Sequence, residues 1–212
     1  METRPRIIAN YDDLDEGVQQ LCRLEPKFSS VVDVCPSLDL RRHDDGFERL
    51  LSAIVSQQLS VAAASTIWQR LVDAGVTSPQ AINHSSDEVL RSLGLSKQKI
   101  SYARSLVDAN IDFLALREMT TPEVIETLTQ VKGIGEWTAE IYAMFSLGHA
   151  DVFAHNDLAL QEGARLLLDL PSRPKLSQMR QIASAWSPWR AIAARLLWAY
   201  YAYHKARPGV ND

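Results

Sequence analysis

The chain has 212 residues, 46% of them apolar and 23% charged, which suits one ordinary domain or two small subdomains sharing a core and excludes a mainly disordered chain. Nine glycines and nine prolines exclude a collagen-like protein, and two cysteines, Cys22 and Cys35, exclude a disulfide-dense scaffold, an iron–sulfur cluster or a structural zinc held by cysteines alone. The formal net charge of -4 is uneven: residues 164–212 hold eight Lys/Arg against two Asp/Glu, a net of +6, while residues 1–163 hold 14 against 24, a net of -10. The C-terminal quarter therefore suits a polyanion as well as it suits an ordinary solvated basic surface. One disulfide between the two cysteines is open, with two reduced buried thiols in a cytosolic protein favoured. No stretch is long and apolar enough to span a membrane, and the acidic first twenty residues are unlike a signal or transit peptide. The expected location is the cytoplasm, or the nucleoid if DNA is the partner.

Taken in chain order, the pattern is almost entirely helical. Residues 12–24 form a first helix with acidic residues in its first turn. Pro26 and Pro36 bracket an irregular stretch in which Val31-Val32-Asp33-Val34 is the one weak strand candidate. From Asp45 to Gln57, Phe47, Leu50, Leu51, Ile54 and Val55 recur at helical spacing. Ser60 caps a helix that runs to Val72 and stops at Gly75. Ser56-Gln57-Gln58-Leu59 is the polar turn between these two helices. Ser86 caps a helix over 87–92, stopped by Gly94, and Ser96 caps another through Asp108. Thr121 with Pro122 opens a helix ending near Val131. Helices over 136–147, 157–168, 176–186 and 188–204 complete the chain, with Gly148, Pro171, Pro174 and Ser187-Pro188 as punctuation.

The most informative local feature is Leu128-Thr129-Gln130-Val131-Lys132-Gly133-Ile134-Gly135-Glu136-Trp137-Thr138-Ala139-Glu140. One helix ends and another begins across two glycines, leaving amide N–H groups of the new helix's first turn to point outward, where they suit a phosphate oxygen. Ile134 is placed to plug the hairpin into a core, and Lys132 adds charge. A plain αα-hairpin has a similar pattern, so on these residues alone the phosphate role and a structural role both stand.

The pattern V-K-G-I-G-E-W-T-A resembles the helix-hairpin-helix of the DNA glycosylase superfamily. Gly148 to Leu160 resembles that family's loop leading to its catalytic aspartate, with Asp157 at that position. Phe47 to Ser60 resembles its helix and DNA-wedge loop, and Trp186-Ser187-Pro188-Trp189-Arg190 resembles a segment of the bacterial 3-methyladenine DNA glycosylase II group. The similarity spans residues 40–205. It implies an all-α fold of two helical subdomains with the helix-hairpin-helix and a DNA-binding cleft between them. The expected divisions are an N-terminal segment over 1–40 packing on the C-terminal subdomain, a middle subdomain over 41–118 with the wedge loop, and a C-terminal subdomain over 119–212 with the hairpin and the aspartate. With only residues 1–40 ahead of the core, the additional N-terminal domain of the bacterial relative is expected to be absent.

The resemblance also implies chemistry. Bifunctional members carry a lysine two residues past the hairpin's second glycine, where this chain has Trp137, so the covalent lyase route lacks its nucleophile. The implied enzyme is a monofunctional glycosylase of base excision repair that releases alkylated purines: 3-methyladenine first, with 7-methylguanine, 1-methyladenine and hypoxanthine left open by pocket shape. Asp157 is its catalytic carboxylate, although Asn156-Asp157 before an apolar run reads equally as a helix N-cap. Trp137, Trp198 and Tyr142 are the implied walls of a base pocket, Tyr142 standing one position after the family's tyrosine, where this chain has Ile141. Gln58 and Leu59 are the implied DNA wedge, against plain turn and packing roles. Lys132, Gly133 and Gly135 are the implied phosphate contacts. His155 is a candidate cleft or surface residue, and Arg190 a partner for the neighbourhood of Asp157 or for Trp186. No cofactor and no metal are implied; the implied partner is double-stranded DNA carrying an alkylated base, bound by a monomer. A DNA-damage-binding protein of the same fold that flips a base without cutting is the alternative.

Overall fold

Serine N-caps set four of the eight helix starts between residues 43 and 142. Ser60, Ser78, Ser86 and Ser96 each accept a hydrogen bond from the amide three residues on, at 3.2–3.3 Å. The structure is a computed structural model that describes residues 4–206. Arg207 and Asp212, which enter the charge count above, lie outside the described residues. By their contacts the residues fall into two units, one of 1–42 with 143–212 and one of 43–142.

The 43–142 unit holds eight helices: α3 (Phe47–Ser56), α4 (Val61–Asp73), α5 (Pro79–His84), α6 (Asp87–Ser92), α7 (Lys97–Asp108), α8 (Phe113–Leu116), α9 (Thr121–Thr129) and α10 (Glu136–Tyr142). The expected apolar face of α3 is the one that packs, with Leu50, Leu51, Ile54 and Val55 all buried. Each such side chain contributes about 1.5–3 kcal/mol relative to exposure. Ile100, Ala103 and Leu106 of α7 face the same core. α9 starts at Thr121, as the sequence predicts, with Thr120 as its N-cap; the Glu123 carboxylate accepts from the Thr120 amide and hydroxyl, both at 2.7 Å. The short helices α5 and α8 open on Ser78 ahead of Pro79 and on Asp112, caps whose following turns are too brief to leave a periodic pattern.

The other unit contains α1 (Tyr11–Leu24), α2 (Phe28–Val34), the π-helical turn Ala143–Leu147, α11 (Leu158–Leu168), α12 (Leu176–Ser184) and α13 (Arg190–Ala206). The weak strand candidate at Val31–Val34 is helix α2. Phe28 and Val31, three apart, are buried together, and Phe28 meets the Trp186 ring edge-on at 5.3 Å. That tertiary packing overrides the β-propensity of three valines. From Ala191 to Leu197 α13 is buried on every side, which makes it the central helix of this unit. It lies so close to α11 that a Cβ on Gly163 would stand 2.7 Å from the Leu197 carbonyl oxygen. The last helical turn before Gly148 is π rather than α. Cys22 and Cys35 are both free. Among the described residues there is no strand beyond the isolated bridge between Ile7 and His149, and no helix is long and apolar enough to cross a membrane.

Candidate functional site

The hairpin is built into the 43–142 unit. Gly133 sits at φ +97°, and a Cβ there would come within 2.3 Å of the Tyr102 ring, so both backbone conformation and space call for glycine. Its carbonyl accepts from Gln57 Nε2 at 2.7 Å, and the Lys132 amide donates to Ser105 Oγ at 3.1 Å. These bonds tie the hairpin to the end of α3 and to α7. Residues 119–142, which the sequence joins to the C-terminal helices, thus lie with the middle segment. Ile134 is buried, as a plug would be. The amides of Gly133 and Gly135 donate to no protein acceptor among the described residues, and a Cβ on Gly135 would meet nothing within 4 Å. With the exposed Lys132 beside them, they form an open turn of unbonded amides ahead of α10, whose first residue is the acidic Glu136.

At the end of α3 the chain turns through Gln58, a non-glycine residue at φ +58°. Gln58 and Leu59 are both exposed, with Leu59 at 39%, and the α3 terminus is held by Lys99, whose Nζ donates to the Val55 carbonyl at 2.5 Å. Next to this turn α3 and α10 enclose a cavity of about 500 Å³, lined by Arg49, Ser52, Ala53, Ser56, Gln57 and Gln58 from one side and Trp137, Thr138, Ile141 and Tyr142 from the other. Trp137 is 46% exposed. Tyr142 is buried; its hydroxyl accepts from the Gly46 amide at 2.7 Å, and burial pushes that hydroxyl up to about 12. Ile141 and Tyr142 line the cavity together, so the one-position offset moves no aromatic ring out of it.

Arg49 is the member of this cavity that the sequence does not announce. Burial lowers its pKa, and among the described residues its guanidinium makes no hydrogen bond or ion pair. Its signal is the small and polar stripe Arg49, Ser52, Ala53 and Ser56, spaced i, i+3, i+4 and i+7 beside the apolar face of α3.

Asp157 belongs to the other unit and is the N-cap of α11. Its Oδ1 accepts from the amides of Ala159 and Leu160 at 2.9 and 3.0 Å and from Trp198 Nε1 at 3.2 Å. Three N–H donors on one oxygen fix the carboxylate in place. Trp198 is itself fixed, stacked on Phe145 of the π-turn with centroids 5.9 Å apart and planes at 28°. Of the three expected pocket aromatics, Trp137 and Tyr142 line the cavity, whereas Trp198 grips the aspartate.

The loop before Asp157 is pinned by backbone bonds from Ile8 to Gly148 and from Ala150 to Arg6, at 2.7 and 2.8 Å. Arg190 pairs with Asp151 through Nε and Nη2 at 2.5 and 2.9 Å, with Ser187 Oγ on the same carboxylate at 2.8 Å. It therefore braces the loop rather than Asp157 or Trp186. His155 is 8% exposed, with its ring 5.2 Å from that of Phe153 and its carbonyl accepting from Gln161 Nε2 at 2.8 Å. It packs and does not sit on the surface.

The described residues thus combine a helical fold, a glycine hairpin whose amides bond no protein acceptor, and a carboxylate fixed at a helix start. The profile of the HhH-GPD superfamily of base excision DNA repair proteins matches residues 51–188, and the chain belongs to that family. It is 32% identical over 194 residues to DNA-3-methyladenine glycosylase 1 of Schizosaccharomyces pombe, covering 87% of this chain and 82% of that protein. Among solved structures it resembles a DNA-3-methyladenine glycosidase from Bacillus halodurans, with a TM-score of 0.80, 34% identity and coverage of 87% and 88%. It also resembles the S. pombe 3-methyladenine DNA glycosylase in complex with abasic DNA, with a TM-score of 0.74, 30% identity and coverage of 86% and 95%.

Proposed function

We propose that this chain is a monofunctional DNA glycosylase that hydrolyses the N-glycosidic bond of alkylated purines in double-stranded DNA, with 3-methyladenine its first substrate. The observation that carries this is Asp157: a carboxylate fixed by two backbone amides and an indole N–H, at the end of a braced loop, in a chain 32% identical to a named DNA-3-methyladenine glycosylase.

Alkylation at N3 or N7 places positive charge on the purine and makes it a good leaving group. The C1′–N bond breaks with its electron pair leaving on the base, and the sugar becomes oxocarbenium-like. The Asp157 carboxylate stabilises that cation electrostatically, orients water for attack at C1′ and takes the proton the water loses. A preorganised anion of this kind is worth several kcal/mol in a transition state, about tenfold in rate for each 1.4 kcal/mol. Trp137 stands where a lysine nucleophile would be needed for strand cleavage, so the product is an intact strand with an abasic site.

The remaining roles follow from chemistry. The open amides of Gly133 and Gly135, with Lys132, hold a backbone phosphate and fix register without reading sequence. Gln58 and Leu59, presented on a strained exposed turn, enter the stack from which the base has left. The cavity of Trp137 and Tyr142 takes the extruded base against its aromatic walls. The protein acts as a monomer, because one damaged nucleotide is handled at a time, and it works with the chromosome in the cytoplasm or nucleoid.

The test is release of free bases from methylated duplex DNA by the purified protein, with abasic sites counted on the same DNA. Release of 3-methyladenine with strands left uncleaved is expected, and its loss in Asp157→Asn. No release by wild type, with tight binding to an abasic duplex retained, would instead mark a damage-binding protein that does not cut.

A further inference from the structure

We propose that Arg41 and Arg195 form a second phosphodiester-binding site, beside Trp198 and separate from the hairpin amides. The site takes its ligand from the function proposed above, and its own support lies in how charge is buried there.

Arg195 projects from the centre of α13 and is only 4% exposed. Its Nη1 donates to the Ala191 carbonyl at 3.0 Å and its Nη2 makes a long contact with the Met144 carbonyl at 3.5 Å, while its Nε has no hydrogen-bond partner. Among the described residues neither Arg195 nor Arg41 makes an ion pair. A guanidinium taken out of water without a counter-charge is costly, and here the surroundings add to the cost. Burial, with the nearby charges of Arg42 and Arg41 adding to it, brings Arg195 down to about 10. The π-turn offsets part of this: the Phe145 ring lies 4.7 Å from the Arg195 guanidinium and 5.8 Å from that of Arg41. Arg41 also holds φ 45°, a left-handed conformation that a side chain rarely adopts.

Both arginines line a cavity of about 220 Å³ that also takes in Trp198, Ser37 and the exposed Asp39. Two guanidiniums without a counter-charge, one of them buried, beside a small cavity whose walls also include Leu38, Ala199 and Ala202, fit an anion with several acceptor oxygens, for which the planar donor fork is suited. Trp198 links this cavity to Asp157 through its indole N–H. An anion seated here is one side chain away from the proposed catalytic carboxylate. In a DNA glycosylase the anion at that place is a phosphate of the damaged strand flanking the nucleotide under attack. Fixing it would hold the sugar while the base is out of the stack.

The test is equilibrium binding to a duplex with one abasic site, in which each phosphate flanking that site is replaced in turn by an uncharged methylphosphonate. Wild type is expected to lose about tenfold at one flanking position, as loss of a phosphate–arginine contact requires. Arg41→Gln is expected to bind unmodified DNA about tenfold more weakly, to lower the salt dependence by about one counterion, and to be indifferent to the methylphosphonate at that position. Arg195→Met is expected to show the same coupling; if it fails to fold, the exposed Arg41 carries the test. Equal sensitivity of wild type and Arg41→Gln at every position overturns the site. So does competition by inorganic phosphate that Arg41→Gln abolishes without any coupling to DNA, since the cavity would then serve a free anion. Failure of the glycosylase reading shows separately, as absence of base release by wild type; a wild type that binds no DNA overturns both.

Discussion

Asp157 has one observed occupation and one proposed. As the N-cap of α11 it satisfies two amides that would otherwise be orphaned, and in the proposed reaction it is also the fixed anion that meets the charge developing on a sugar. Two substitutions separate them. Asparagine caps helices as well as aspartate does, so Asp157→Asn is expected to keep its melting temperature. Asp157→Ala is expected to lose about 1 kcal/mol, a fall of roughly 2–4 °C in a thermal melt. Both are expected to lose base release. At Arg49 the charge points the other way. A cation in the wall of the cavity repels a cationic base and offers donors to a neutral base bearing an acceptor edge. Arg49→Gln is expected to raise kcat/KM for 7-methylguanine relative to hypoxanthine by about tenfold, an effect of roughly 1.4 kcal/mol. An unchanged ratio in paired release assays would remove Arg49 from lesion choice. Asp157 and Trp137 were legible because each sits at a fixed offset from a recognisable turn. Arg49 and Arg195 were not, because a charged residue on an apolar helix reads as an interruption until its neighbours are known.

At the scale of elements, turn chemistry made most of the chain readable. Ser60, Ser86 and Ser96 marked helix starts that the structure places one residue later, and Gly94 marked a stop. The segment 28–34 was unreadable because three valines favour a strand locally, whereas the burial of Phe28 and Val31, with Phe28 against the Trp186 ring, accompanies a helix. The hairpin offers a direct contrast. Gly133→Ala is expected to cost more than about 2 kcal/mol, since a methyl group there is both strained and driven into Tyr102. Gly135→Ala, with open space around it, is expected to stay within about 0.5 kcal/mol; denaturant titration of the two variants reads the difference.

The loop after the π-turn carries a pH dependence. His149 is fully buried, and burial together with Arg42 pushes it down to about 4 from an ordinary 6.5. The unfolded chain therefore takes up a proton near pH 6.5 that the folded chain refuses until about pH 4. Its contribution is complete above pH 6.5 and declines as pH falls through that window. Unfolding free energy is expected to drop by about 1 kcal/mol between pH 7 and pH 5.5. In His149→Gln that drop should vanish, whatever the variant's stability at pH 7; an unchanged slope would assign the proton to another group.

For the whole molecule, net charge is a poor guide to partner. A chain at -4 belongs to a DNA repair family because its functional groups do not depend on the total. The proposed DNA contacts rest instead on local groups: the amides of Gly133 and Gly135, which bond no protein acceptor among the described residues, and the cations Lys132, Arg41 and Arg195. The all-helical fold was legible from periodicity and caps. The grouping of residues was not, because bonds from Gln57 and Ser105 to the hairpin join positions far apart in the chain and leave no mark on local pattern. The proposed base release rests on one carboxylate. Its most direct test is the single-turnover rate of 3-methyladenine release by wild type, Asp157→Asn and Asp157→Ala, under conditions where all three are folded and bound to DNA. A loss of at least about 100-fold in both variants, despite the unchanged stability of the asparagine form, is the expected result. Retention of the wild-type rate by Asp157→Asn would leave Asp157 a helix cap and nothing more.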